Sequence, residues 1–199
     1  MKIFKQITVF VFVFTLAGAY SAYAKMSPQT EIFKADRALE SNPHDAKAYY
    51  NRGTAHYNLG EYDAAVSDLT KSISFEPKAA DAYFNRGLSL RQQKKLNETI
   101  ADFSKAIELH PKQSFSYYYE RCNARIANND FAGAIADGDE VIRLSPKDAE
   151  GYFLRGLAHY LKGDLDAGLE DAGKALEFHP GHPNAERLKT EILEKKKSS

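Results

Sequence analysis

The chain has 199 residues, 43% hydrophobic and 27% charged, with 27 basic residues against 27 acidic ones. This is enough apolar content for a packed core, which excludes a disordered chain, and the charge balance is too even for a nucleic-acid or anionic-membrane binder. A single cysteine, Cys122, excludes an internal disulfide framework, so stability must come from packing.

The first element is an N-terminal leader. Lys2 and Lys5 precede an apolar run over 7–19, and Ala22-Tyr23-Ala24 offers the small-x-small pattern that signal peptidases accept. We expect residues 1–24 to be a signal peptide cleaved after Ala24, and the chain to be exported, periplasmic in a bacterium or otherwise secreted. The run is interrupted by Thr8, Thr15 and Gly18 and is shorter than the about 20 residues that span a bilayer. No stable membrane insertion is expected after cleavage, and no cysteine stands just past the run to carry a lipid, Cys122 lying deep in the third repeat. Cleavage removes two basic residues and no acidic one, leaving 25 against 27, a formal charge of −2.

Residues 30–45, within an N-terminal segment 25–45, read as one helix with Ile32, Ala35, Ala38 and Leu39 facing inward and Pro43 closing it. Pro43 opens a series: Pro77 follows it by 34 residues, and Pro111, Pro146 and Pro180 follow at 34, 35 and 34. A period in this range marks a repeat array whose units bury their apolar faces only by stacking on neighbours. The copies begin at Tyr49, Tyr83, Tyr118 and Tyr152, and the first reads YYNRGTAHYNLGEYDAAVSDLTKSISFEP.

Within that copy, Tyr49, Gly53 and His56 fall at i, i+4, i+7, one face of a helix over 46–59 that Gly60 stops. A second helix restarts at Tyr62, carries Ala65, Val66, Leu69, Ser72 and Ile73 on its apolar stripe, and ends before Pro77. Each unit is therefore a helix hairpin, and the array divides as 46–79, 80–113, 115–148 and 149–182. A column of Gly53, Gly87, Cys122 and Gly156 calls for close helix approach, because glycine in a helix costs about 1 kcal/mol relative to alanine. Cys122 reads as a small buried filler of that column.

Arg52 and Asp68 recur as Arg86 with Asp102, Arg121 with Asp137 and Arg155 with Asp171, always 16 apart. Their midpoints, Gly60, Lys94, Asn129 and Gly163, are the hairpin turns, so each pair lies at one height on two antiparallel helices. Four structural ion pairs are predicted rather than a basic ladder for an acidic ligand.

The aromatic, glycine, small-residue and proline positions over 46–182 resemble the tetratricopeptide repeat. The resemblance implies an all-α, right-handed solenoid of about four hairpins, with residues 25–45 as a half repeat. There are departures: Thr99 and Gly168 replace the alanine seen at Ala65 and Ala134, and Gly138 falls where Leu69 and Phe103 are bulky. Looser packing of the third and fourth repeats is expected. After the array, residues 183–199 read as a capping helix and tail, with Asn184 as N-cap, Ala185, Leu188, Ile192 and Leu193 on the inner side and Lys195 to Lys197 at its C-terminal end.

In such solenoids the first helices line a concave groove that holds an extended peptide or a partner helix. The residues the resemblance places there are Tyr50, Thr54 and Tyr57; Phe84, Leu88 and Arg91; Tyr119, Asn123 and Ile126; Phe153, Leu157 and Tyr160. That stripe is aromatic and weakly charged and suits an amphipathic or apolar segment. Some members clamp a C-terminal carboxylate with Lys and Asn; only Arg91, with Lys47 at the edge, would qualify here, so that activity is not carried over.

No catalytic residue, cofactor or metal is expected. His179 and His182 in HPGHP lack partners of matching ligand spacing, and His56 and His159 occupy equivalent columns at the core edge. No phosphate-binding loop or nucleophile elbow appears. Asn97-Glu98-Thr99 is a glycosylation sequon by pattern alone. The expected function is a non-enzymatic, exported protein-interaction adaptor of an envelope or secretion assembly. The alternative is a self-associating homo-oligomer paired through Ile32 and Phe33 or through Leu188 and Ile192.

Overall fold

A computed structural model describes residues 27–110 and 115–198. The expected signal peptide, its cleavage site and Pro111 lie outside the described residues. The chain divides into two compact units, 1–77 and 78–199.

The first unit holds α1 (Pro28–Ser41), α2 (Ala46–Asn58) and α3 (Tyr62–Phe75), each packed on the next. Helix α1 starts two residues earlier than the sequence reading placed it. Ser27 accepts a hydrogen bond from the Thr30 amide at 3.3 Å and Pro28 occupies the first turn, a strong local start signal. Asp45 caps α2 through the Ala48 amide at 3.0 Å. The core gathers Ala35, Ala48, Ala55, Ala65, Leu69 and Ile73, while Val66 is only half-buried.

The second unit holds α4 (Ala80–Gln92), α5 (Leu96–Leu109), α6 (Phe115–Ala127), α7 (Phe131–Leu144), α8 (Ala149–Lys162), α9 (Leu165–Phe178) and α10 (Pro183–Ser198), and consecutive helices pack in chain order. Phe103, Tyr117, Val141, Leu154 and Ile192 are among its buried side chains. All described elements are helical, and no helix among them is long and apolar enough to cross a membrane.

The hairpin turns share one backbone solution. Gly60 and Gly163 sit at φ +78° and +98°, and Lys94 and Asn129 take the same left-handed region at φ 60°. The glycine column explains itself by distance: a Cβ on Gly53 would stand 2.8 Å from Leu69 Cγ, and one on Gly87 would stand 2.7 Å from the Phe103 ring. The looser packing expected of later repeats is not what their glycines produce. A Cβ on Gly138 would meet the Arg155 backbone at 3.2 Å, and one on Gly168 would meet the carbonyl of Gly156 at 3.1 Å. These glycines bring backbones together, so lost side-chain volume becomes closer approach rather than a void.

The terminal helix departs from the reading in two places. Its cap is His182, whose Nδ1 accepts from the Ala185 amide at 3.2 Å, rather than Asn184, because Pro183 occupies the first turn and moves the cap upstream. Ala185, Leu188 and Ile192 face inward, whereas Leu193 is 40% exposed.

Candidate functional site

The Arg–Asp pairs at 16-residue spacing are forks. Arg52 reaches Asp68 through Nε and Nη2, both at 2.7 Å, and Arg86 does the same to Asp102. Arg121 meets Asp137 through Nε at 3.0 Å and Nη2 at 2.6 Å, and Arg155 meets Asp171 at 2.8 and 2.6 Å. Bidentate geometry suits a planar guanidinium facing a buried carboxylate. These bonds, led by the one to Asp68, raise Arg52 above the usual arginine range, and those led by Asp171 do so for Arg155.

Three features of this ladder were not read from the sequence. The third arm, Nη1, reaches back to the preceding helix: Arg52 to Asp36 at 2.6 Å, Arg121 to Ser104 at 2.9 Å and Arg155 to Asp139 at 2.7 Å. Each arginine also lies over the tyrosine three residues before it, with Tyr49, Tyr83, Tyr118 and Tyr152 centroids 5.4–5.8 Å away. Both had a signal, since the 16-residue spacing of Asp36 and Asp139 runs upstream as well as down, and Tyr and Arg are i, i+3 neighbours on a helix. Arg125, which adds a second guanidinium to Asp137 at 2.8 Å, had none.

The stripe residues divide into two kinds. Phe84 is packed between Phe103 and Tyr117, with ring centroids 5.4 and 4.6 Å away, and Phe153 lies 5.3 Å from the His182 ring within the α8–α10 core. Both join repeats rather than standing open to a ligand. Tyr119 stacks on Phe115, and burial raises its hydroxyl above the ordinary tyrosine range. Leu157 and Tyr160 pack toward Leu188 and Ile192, and Ile126 packs on the Cys122 cluster. Leu88 is half-buried, and Asn123 donates its amide to the Tyr119 carbonyl at 3.0 Å.

Arg91 is not an open cation for a ligand: it pairs with Glu120, 29 residues away, at a spacing outside the repeat register. Each arginine of α4, α6 and α8 is thus bound to a carboxylate of the chain. In the first unit, Tyr50, Asn51 and Thr54 line a shallow cleft with Pro28 and Glu31, and a second cleft runs past Lys34, Ala38 and Lys47. Tyr57 lies against Tyr62, with ring centroids 5.9 Å apart.

Cys122 is fully buried, its Sγ 3.3 Å from the Ala134 carbonyl, and burial pushes its thiol up to about 12. His56 bonds Glu61 at 2.5 Å, and His159 stands 3.4 Å from Asp164. His179 and His182 meet edge-on at 5.4 Å, and among the described residues no group of three or more His, Cys, Asp or Glu is placed to hold a metal. The sequon threonine Thr99 is fully buried, donating to the Lys95 carbonyl at 2.9 Å.

Comparison with known proteins agrees with the period. Tetratricopeptide repeat models match residues 46–78, 80–113 and 119–183. Among solved structures, YrrB, described as a TPR protein with an unusual peptide-binding site, is 19% identical with a TM-score of 0.78, covering 88% of this chain and 89% of its own. MamA is 22% identical with a TM-score of 0.70, covering 74% and 85%. The first TPR of Spaghetti (RPAP3), bound to the HSP90 peptide SRMEEVD, is 22% identical with a TM-score of 0.55, covering 58% and 91%. With hairpins, small-residue crossings and repeat matches in agreement, the chain belongs to the tetratricopeptide repeat family.

Proposed function

We propose that this protein is an exported adaptor without catalytic activity, which holds an apolar, helical or extended segment of a partner protein. The first helices of the second unit, α4, α6 and α8, supply the face, through Leu88, Asn123, Ile126, Leu157 and Tyr160. One observation carries the reading: the arginines of these helices are consumed by internal carboxylates. A ligand there is recognised by apolar contact and shape rather than by charge. The peptide-binding site named for YrrB and the peptide held by the Spaghetti domain lend support to a peptide or protein partner. An envelope or secretion assembly is the setting that the leader over 1–24 favours.

The test is crosslinking and affinity capture of the chain from residue 25 onward in its native compartment, with Leu88→Asp plus Leu161→Asp as control. Leu161 lies one turn after Leu157 on α8 and is 43% exposed, whereas Leu88 is half-buried, so the melting temperature is measured alongside. Partners lost with an unchanged melting temperature support the adaptor. Partners retained by the variant reject this face. Sequencing the N-terminus of the exported protein tests cleavage after Ala24.

Self-association is favoured by one observation, Phe33 at 62% exposure with Arg37 over its ring. The other end is not free for pairing, because Leu188 and Ile192 are buried. Light scattering of wild type and Phe33→Ser separates the two readings: a dimer that Phe33→Ser dissolves supports self-association.

A further inference from the structure

Five helices are capped by side-chain oxygens, from Ser27, Asp45, Asp130, Asp148 and Asp164. Helix α10 instead depends on an imidazole. His182 Nδ1 accepts from the Ala185 amide at 3.2 Å, while Nε2 lies 3.1 Å from Glu150 Oε1 on α8. The two contacts fix the ring: Nε2 carries the proton toward the carboxylate and Nδ1 stays bare for the amide. A doubly protonated ring has no acceptor, so this cap bond exists only in the neutral form.

Charged and titratable groups of α8, α9 and α10 surround the ring. The ring is 3% exposed, packed on Phe153 at 5.3 Å, and it faces the positive end of α10. His179, at the end of α9, stands edge-on at 5.4 Å and adds like charge when it protonates. Glu186, in the first turn of α10, bonds the His182 carbonyl through its backbone amide. Glu150, close enough to Tyr119 of α6 to affect that hydroxyl, is the carboxylate bonded to the ring, and its side chain is 45% exposed, which weakens its pull.

We propose that His182 is an acid-sensitive latch for the terminal helix. At neutral pH the bare Nδ1 holds the start of α10. In acid a proton on Nδ1 removes the acceptor, the cap is lost and α10 loosens from α8 and α9. Leu157, Tyr160, Leu165 and Leu169, half-buried against Leu188 and Ile192, become fully accessible. The inference is independent of any partner.

Hydrogen exchange of the full chain at about pH 7.5 and about pH 5.5, corrected for intrinsic rates, tests it. Amides of α10 are expected to exchange roughly tenfold faster in acid, while those of α5 and α7 are unchanged. His182→Asn supplies an amide oxygen as cap and does not titrate, so it is expected to abolish the difference; His179→Asn is expected to keep it. Equal protection of wild-type α10 at both pH values, or undiminished acid loosening in His182→Asn, overturns the latch. Should His182→Asn loosen α10 throughout, NMR of the wild type decides. A His182 ring that titrates with a different midpoint from the α10 amides overturns the proposal, and a shared midpoint supports it.

Discussion

Asp137 shows what one buried carboxylate can hold. It is 1% exposed and accepts from both Arg121 and Arg125. Asp137→Ala strands two guanidiniums, and a loss of about 3–5 kcal/mol is expected, the usual cost of breaking one side of a buried pair. Urea denaturation checks it. Adding Arg121→Met and Arg125→Met should recover much of that loss, since apolar replacement of a whole buried ion cluster is often close to neutral. A triple variant no more stable than Asp137→Ala would show that the charges do more than satisfy one another. Cys122 gives a second expectation at this scale. Its burial and raised titration keep it a neutral thiol, so a thiol reagent at about pH 8 should label it only after denaturant is added.

The turns are the clearest case among the elements. Lys94 and Asn129 adopt the left-handed backbone that glycine takes at Gly60 and Gly163. Lys94→Gly should therefore raise stability by roughly 0.5–1 kcal/mol, with strain relief exceeding glycine's entropic cost, and Asn129→Gly should do less because asparagine tolerates this region. Thermal or urea unfolding of the two variants distinguishes them. The turns were legible because the Arg–Asp midpoints marked them, and the hairpins were legible because the prolines and small residues recur in register. What resisted reading lies off that register. Glu120 is found by Arg91 only when two repeats are packed, and His182 took the cap from Asn184 because Pro183 shifted the start of α10. The roles of Phe84 and Phe153 were hidden for another reason: a periodic aromatic looks the same in sequence whether it faces a ligand or the next repeat.

For the whole molecule, the internal neutralisation of arginine predicts how a partner binds. An apolar contact should be nearly indifferent to salt, so partner affinity is expected to change less than about threefold between about 0.05 and 0.5 M salt, whereas a charge-reading site would weaken steeply. A short acidic peptide serves as a probe of the charge-reading mode, and no salt-sensitive binding of it is expected. Titration calorimetry at two ionic strengths measures both.

The three-armed arginines also bear on mechanics. A guanidinium clasped by its own hairpin through two arms and by the preceding helix through the third resists tilt as well as separation. Within each unit, bending one hairpin against its predecessor must stretch a bond anchored at both ends. The units should then behave as springs whose stiffness is set by a few nitrogens, not by the breadth of the apolar contact. Arg155→Lys keeps the charge and loses the fork. The resulting spring should be softer even where the fold is intact.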